Sequence, residues 1–101
     1  MSNLRQEIET KVKSKPVFVF MKGTPTFPMC GFSARTIEVL KATKAEFDYV
    51  NILEAPEMWE ELKKFTNWPT SPQVFVKGEF IGGCDITCEM FESGDLQNML
   101  K

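Results

Sequence analysis

Apolar positions recur along the chain with periods that change from segment to segment. Leu4, Ile8 and Val12 stand four apart among Arg5, Glu7, Glu9 and Lys11, which predicts an amphipathic helix ending near Lys15-Pro16. Val17-Phe18-Val19-Phe20-Met21 is an unbroken apolar run. It is too short for a typical helix and suits a central parallel strand covered on both faces. A loop with Gly23, Pro25 and Pro28 follows, and Ala34, Ile37 and Leu40 then mark a helix beginning around Cys30 to Ser33. Phe47 to Ile52 reads as a second strand, and Pro56 opens a helix with Met58, Leu62 and Phe65 on one face.

The last third has a different rhythm. Gln73 to Val76 and Glu79 to Ile81 flank Lys77-Gly78, a hairpin signal that makes the last two strands antiparallel. Gly82-Gly83 closes the hairpin, and Asp85 is expected to cap a helix carrying Ile86, Met90 and Phe91. Gly94 then separates a short tail with Leu96, Met99 and Leu100. A β-α-β unit followed by a β-β-α unit predicts an α/β fold of thioredoxin-like type: three α/β/α layers, a four-stranded mixed sheet and an extra N-terminal helix. With no repeat or linker, residues 1–101 read as a single domain.

Composition removes several function classes. Twelve basic and 14 acidic residues leave a net charge of -2 without a basic cluster, so nucleic acid is not expected as a partner. No apolar run approaches the roughly 20 residues that span a bilayer, and the charged start does not resemble a signal sequence, so no membrane partner is expected either. Cys30, Cys84 and Cys88 are odd in number and unevenly spaced, unlike a secreted disulfide framework, and suit a reducing compartment. Cytoplasm is the default location, and a mitochondrion or plastid would follow if a presequence had been removed. The chain has no histidine, which excludes Ser-His-Asp, Cys-His and histidine-metal chemistry. An activated nucleophile here must draw on backbone dipoles, a lysine or a bound ligand.

That narrows the chemistry to Cys30. In Cys30-Gly31-Phe32-Ser33 the thiol stands at a predicted helix start, where unpaired N–H groups stabilise a thiolate. Lys22, at the end of the first strand, either adds a positive charge at the mouth of the loop or is an ordinary surface lysine. Ser33 occupies the place of the second thiol of a Cys-X-X-Cys motif, so the partner thiol must come from glutathione, a second subunit, Cys84 or Cys88. In Thr70-Ser71-Pro72, a cis bond before Pro72 would open the Ser71 backbone to an extended peptide-like ligand, whereas base rates favour trans. Gly82-Gly83 before Asp85 offers close backbone approach and N–H groups suited to a carboxylate.

Lys22-Gly23-Thr24-Pro25, Cys30-Gly31-Phe32-Ser33, Trp68-Pro69-Thr70-Ser71-Pro72-Gln73 and Gly82-Gly83-Cys84-Asp85, in that order, resemble the monothiol glutaredoxin family. The resemblance spans nearly the whole chain. It implies a cis Pro72 and a glutathione groove lined by Lys22, Cys30, Phe32, Thr70, Ser71, Pro72, Gly83, Cys84 and Asp85. Ser71 would pair with the tripeptide main chain, and the turn from Gly83 to Asp85 would hold the γ-glutamyl end. It further implies a 2Fe-2S cluster bridging a homodimer, with Cys30 as the metal ligand from each chain and two glutathione thiolates completing the set of four. The apo chain would be a monomer, and BolA-like proteins and apo iron-sulfur proteins would be its partners.

Two positions depart from the family pattern. Trp59, nine residues before Trp68, replaces a common arginine that would clamp the glycyl carboxylate, leaving Lys63 or Lys64 as point-charge substitutes. Ser71 replaces a bulkier apolar residue, which changes the groove wall but not its backbone role. Cys84 is expected to line the groove and to be able to form a disulfide with Cys30 on oxidation, while Cys88 is read as packing. A zinc site using all the cysteines lacks the usual fourth ligand. The expected function is cluster transfer in iron and redox homeostasis. The alternative is glutathione-dependent disulfide exchange through Cys30, and a pure adaptor domain is the third reading.

Overall fold

A computed structural model describes residues 3–101, so the first two residues of the 1–101 span lie outside the described part. The elements follow in the order α1 (Leu4–Lys13), β1 (Val17–Met21), α2 (Gly31–Thr43), β2 (Phe47–Asn51), α3 (Pro56–Thr66), β3 (Gln73–Val76), β4 (Glu79–Gly82), α4 (Cys84–Ser93) and α5 (Asp95–Leu100). The sheet has four strands in the order β2-β1-β3-β4. β1 pairs parallel with β2 and antiparallel with β3, which pairs antiparallel with β4. The sheet is therefore mixed, and β1 lies inside it, as its unbroken apolar run predicts.

Alternation along β1 sorts the core into two layers. Phe18 and Phe20 point to one face, where they meet Ile8 and Val12 of α1, Met58 and Leu62 of α3, and Phe75 of β3. Val17, Val19 and Met21 point to the other, against Ile37 and Leu40 of α2 and Leu96 of α5. All five β1 residues are buried, because successive side chains of a strand face opposite sides and both sides here carry helices. Each fully buried side chain of this kind stabilises the fold by about 1.5–3 kcal/mol.

Local chemistry sets the element ends. Pro56 occupies the first turn of α3, where its missing N–H costs no hydrogen bond. Lys77 and Gly78 both have positive φ, 51° and 85°, the backbone of the tight hairpin turn that the sequence predicts. Two details differ from expectation. The tail after Gly94 is a short helix, α5, whose Leu96 is fully buried in the second core layer. Asp85 does not cap α4: the helix begins two residues earlier than such a cap would set it, Gly83 is the N-cap, and Asp85 lies exposed in the first turn. Gly82, at φ 132°, redirects the chain so that α4 can start at once. The Asp85 carboxylate still gains from the positive helix end, as a first-turn charge rather than a cap.

Candidate functional site

Cys30 is the N-cap of α2, with extended backbone, and its carbonyl accepts the first helical bond from the Ala34 N–H at 2.9 Å. The loop before it folds back on itself. The Met29 N–H donates to the Lys22 carbonyl at 2.9 Å, the Phe27 N–H donates to the Thr24 hydroxyl at 3.0 Å, and Gly23 bridges Pro28. Gly23 needs its φ of 91°, since a Cβ there would collide with the Phe27 carbonyl and come within 2.6 Å of the Met29 nitrogen. The Asn51 side chain, at the end of β2, accepts the N–H groups of Gly23 at 2.9 Å and Leu53 at 3.0 Å. The loop carrying the thiol is thus anchored to the sheet from below.

Ser33 does more than replace a second thiol. It is fully buried, and its hydroxyl accepts the Lys22 N–H at 3.1 Å, tying the end of β1 to the first turn of α2. The Ser33 N–H is the main group holding the Cys30 thiol below its ordinary pKa. Desolvation opposes it, and the Phe32 N–H and the charge of Lys22 add to the lowering. The thiol is half-exposed among the exposed apolar side chains of Phe27, Met29 and Phe32.

Beside it lies a groove of about 230 Å³ lined by Phe32, Trp68, Thr70, Ser71, Pro72, Gly83, Cys84, Asp85 and Ile86. The Ser71-Pro72 peptide is cis. Gly83 is the point of closest backbone approach, because a Cβ there would stand 3.1 Å from the Pro72 carbonyl oxygen. Residues predicted from separate motifs, Phe32, Thr70 to Pro72 and Gly83 to Asp85, are brought together along this one cleft. Lys22 and Cys30 stand outside its lining, at the Phe32 end of α2. The free N–H groups at the start of α4 open on the same cleft, next to the Asp85 carboxylate. Chemically the site pairs a thiol of lowered pKa with a slot that can hold an extended chain ending in a carboxylate and an amine.

Cys84 lines the groove floor, buried at the interface of α2 and α4. Its sulfur meets that of Cys88 at 4.0 Å. Burial pushes the Cys84 thiol up from its ordinary pKa, against a hydrogen bond from Thr36. Cys88 is buried, as its reading as packing expects. All three cysteines are free thiols.

The spacing rules miss three contributors. Trp68 lines the groove as well as packing edge-on against Phe80, with ring centroids 5.8 Å apart, and its indole Nε1 is buried without a hydrogen-bond partner among the described residues. Gln73, fully buried at the start of β3, donates from Nε2 to the carbonyls of Trp68 at 2.8 Å and Thr70 at 3.2 Å. Asn51 is the third. A polar residue at the edge of an apolar strand is the only sequence signal for the last two. Trp59 packs against the core with Lys63 over its ring at 5.2 Å, and Lys63 is also paired with Glu60 at 2.9 Å. Lys63 and Lys64 line a separate hollow that shares Trp68 with the groove.

Among the described residues, no group of three or more His, Cys, Asp or Glu gathers to hold a metal, and no helix is long and apolar enough to cross a membrane. The glutaredoxin family profile matches residues 17–81. The chain is 50% identical over 95 residues to glutaredoxin 4 of Haemophilus ducreyi, covering 94% of this chain and 89% of that one. It is 48% identical over 94 residues to a probable monothiol glutaredoxin 2 of Rickettsia felis, covering 93% and 90%. Its fold superposes with a TM-score of 0.85 on the crystal structure of a buckwheat glutaredoxin–glutathione complex, at 28% identity, covering 96% and 86%.

Proposed function

This chain belongs to the glutaredoxin family, as a monothiol member, and from that premise we propose that it binds glutathione in the groove and carries a 2Fe-2S cluster as cargo between two copies. One observation carries the reading: a single activated thiol, Cys30, stands at a helix start beside a cleft whose far end is the first turn of α4. The buckwheat relative forms a glutathione complex on the same fold, which supports the same ligand here. Ser71 would meet the main chain of the tripeptide, the N–H groups opening α4 its γ-glutamyl carboxylate, and Asp85 its ammonium. Phe32 and Thr70 wall the slot, and the glutathione sulfur would lie toward Cys30.

The donor set fits a shared cluster. Iron in a 2Fe-2S cluster is held by four thiolates, and Cys84 and Cys88 are buried whereas Cys30 is half-exposed. One chain offers one half-exposed thiol at a helix start, Cys30, so two chains and two glutathiones complete the set. Ligation by a diffusible tripeptide makes such a cluster easy to hand on, which suits delivery to apo iron-sulfur proteins with BolA-like partners.

The lowered pKa of Cys30 favours a second reading, thiol exchange. The Cys30 thiolate attacks the glutathionyl sulfur of a protein–glutathione disulfide, and the client leaves as a thiolate. A second glutathione thiolate then attacks the glutathionyl sulfur on Cys30, releasing oxidised glutathione and restoring the Cys30 thiolate. Anaerobic reconstitution with iron, sulfide and glutathione, followed by visible absorption, iron per chain and size-exclusion mass, separates the two. A coloured dimer that requires both Cys30 and glutathione supports the carrier. No cluster, together with reduction of glutathionylated substrates, supports exchange. An adaptor would keep its partner after Cys30→Ser and show neither.

A further inference from the structure

The site described above leaves the contact between Cys84 and Cys88 unused. Both residues lie on the face of α4 that packs against α2, four residues apart, with sulfurs 4.0 Å from each other. From these two thiols and their surroundings we infer a second site in this chain, sharing Cys84 with the groove lining, one that holds a single soft monovalent cation of the copper(I) class between the sulfurs of Cys84 and Cys88.

Helix geometry favours an ion over a disulfide at this place. Side chains four apart on a helix have Cβ atoms about 5–6 Å apart, whereas a disulfide needs about 3.5–4.5 Å. An intervening ion removes that conflict. Taking the zinc–thiolate length of about 2.3 Å as a guide, two thiolate–metal bonds span up to about 4.6 Å when collinear, so the observed 4.0 Å separation admits an ion between the sulfurs in a bent arrangement.

The surroundings select the charge and softness of the ion. Binding displaces one proton from each thiol, leaving two thiolates and one cation with a net charge of minus one, and the charge of Arg35, which couples to Cys88, partly balances it. Arg35 is exposed, so this balancing charge is carried in from solvent. Zinc is disfavoured, since it takes four ligands and the chain has no histidine. Thiolates select copper(I) among the first-row ions. Entry is provided by the groove, whose floor is Cys84.

The test uses the Cys30→Ser chain, which keeps only this pair of thiols. It is titrated anaerobically with copper(I) against the chromophoric chelator bicinchoninate. The expected result is one copper(I) retained per chain, an unchanged size-exclusion mass, and two sulfur neighbours in the copper X-ray absorption spectrum. Adding Cys88→Ala should weaken retention by more than the roughly 10–100-fold that loss of an outer-shell partner costs a metal site. Failure to retain copper, a doubled mass, or retention unaffected by Cys88→Ala would overturn the inference. If the double variant does not fold by near-ultraviolet circular dichroism, the sulfur count of the Cys30→Ser chain decides alone: two supports the site, and any other number refutes it. The cluster reading stands or falls separately, because it requires Cys30 and glutathione.

Discussion

Replacing Gln73 with leucine should loosen the loop that forms one wall of the groove. Gln73 is fully buried, and its Nε2 donates to the carbonyls of Trp68 and Thr70 at 2.8 and 3.2 Å, while its Oε1 lies 2.9 Å from the Thr66 hydroxyl. That hydroxyl has one hydrogen to share between Gln73 and the Leu62 carbonyl at 3.1 Å, so the two Nε2 bonds dominate. Each neutral bond contributes about 0.5–1.5 kcal/mol. Leucine fills similar space but satisfies neither carbonyl, which sets the loss at about 2 kcal/mol. For a chain of this size 1 kcal/mol moves the melting temperature by about 4–5 °C, and the expected fall is therefore roughly 8–10 °C by circular dichroism. Thr66→Val, which removes only the shared bond, should cost about half as much or less. Gln73→Glu should be worse than leucine at pH 7, because a buried carboxylate would face two carbonyl oxygens. Its folded pKa would then lie above the unfolded value of about 4.3, and the penalty should fade as the pH drops through the folded value and be gone below the unfolded one. A melting temperature for Gln73→Leu within about 3 °C of the parent, or equal to that of Thr66→Val, would refute the bracket role.

Further predictions concern the thiol, its loop and the departure at Trp59. The rate of Cys30 alkylation by iodoacetamide should have its pH inflection below that of free cysteine; Lys22→Gln should raise the inflection at low salt, and high salt should shrink the difference, since an exposed charge is screened. An inflection indifferent to Lys22→Gln at low salt would remove that charge from the account. Because the folded pKa is lowered, Cys30 adds stability that grows as pH rises through the folded value and is complete above the unfolded one; Cys30→Ser should lose this rise in urea titrations across that range. Gly23→Ala should cost at least the roughly 1–3 kcal/mol of a non-glycine residue in left-handed backbone, and slow or heterogeneous Cys30 alkylation should accompany the shifted urea midpoint, because the collision is with main-chain atoms that position the loop. Under the glutathione reading, Trp59→Arg should tighten glutathione binding about tenfold by calorimetry, the equivalent of about 1.4 kcal/mol for one charge-assisted contact, with some loss of stability because Trp59 packs on the core.

The amino-acid sequence by itself determined whatever depends on near neighbours. The run Val17 to Met21 already required a strand covered on both faces, and Lys77-Gly78 already required a tight hairpin. Cys30 before a helical period, with no histidine anywhere, already confined the chemistry to a thiol activated by backbone dipoles, a lysine or a bound ligand. Helix start and strand alternation are local properties of the backbone, so spacing reports them. Tertiary structure alone decided which distant atoms would meet. The reach of Gln73 to Trp68 and Thr70, the hold of Asn51 on Gly23, and the meeting of Phe32 with the Gly83 to Asp85 turn all depend on how strands and helices pack. The start of α4 at Cys84 rather than at a capping Asp85 depends on the turn made by Gly82, whose positive φ answers to the sheet edge and to Ile86. Cys84 and Cys88 are legible as a pair four apart, but the sulfur contact and the guanidinium beside it arise only when α2 is laid against α4. Side chains far apart in sequence acquire fixed distances only after the core has closed, which is why the elements could be read in advance and the contacts that make the site could not.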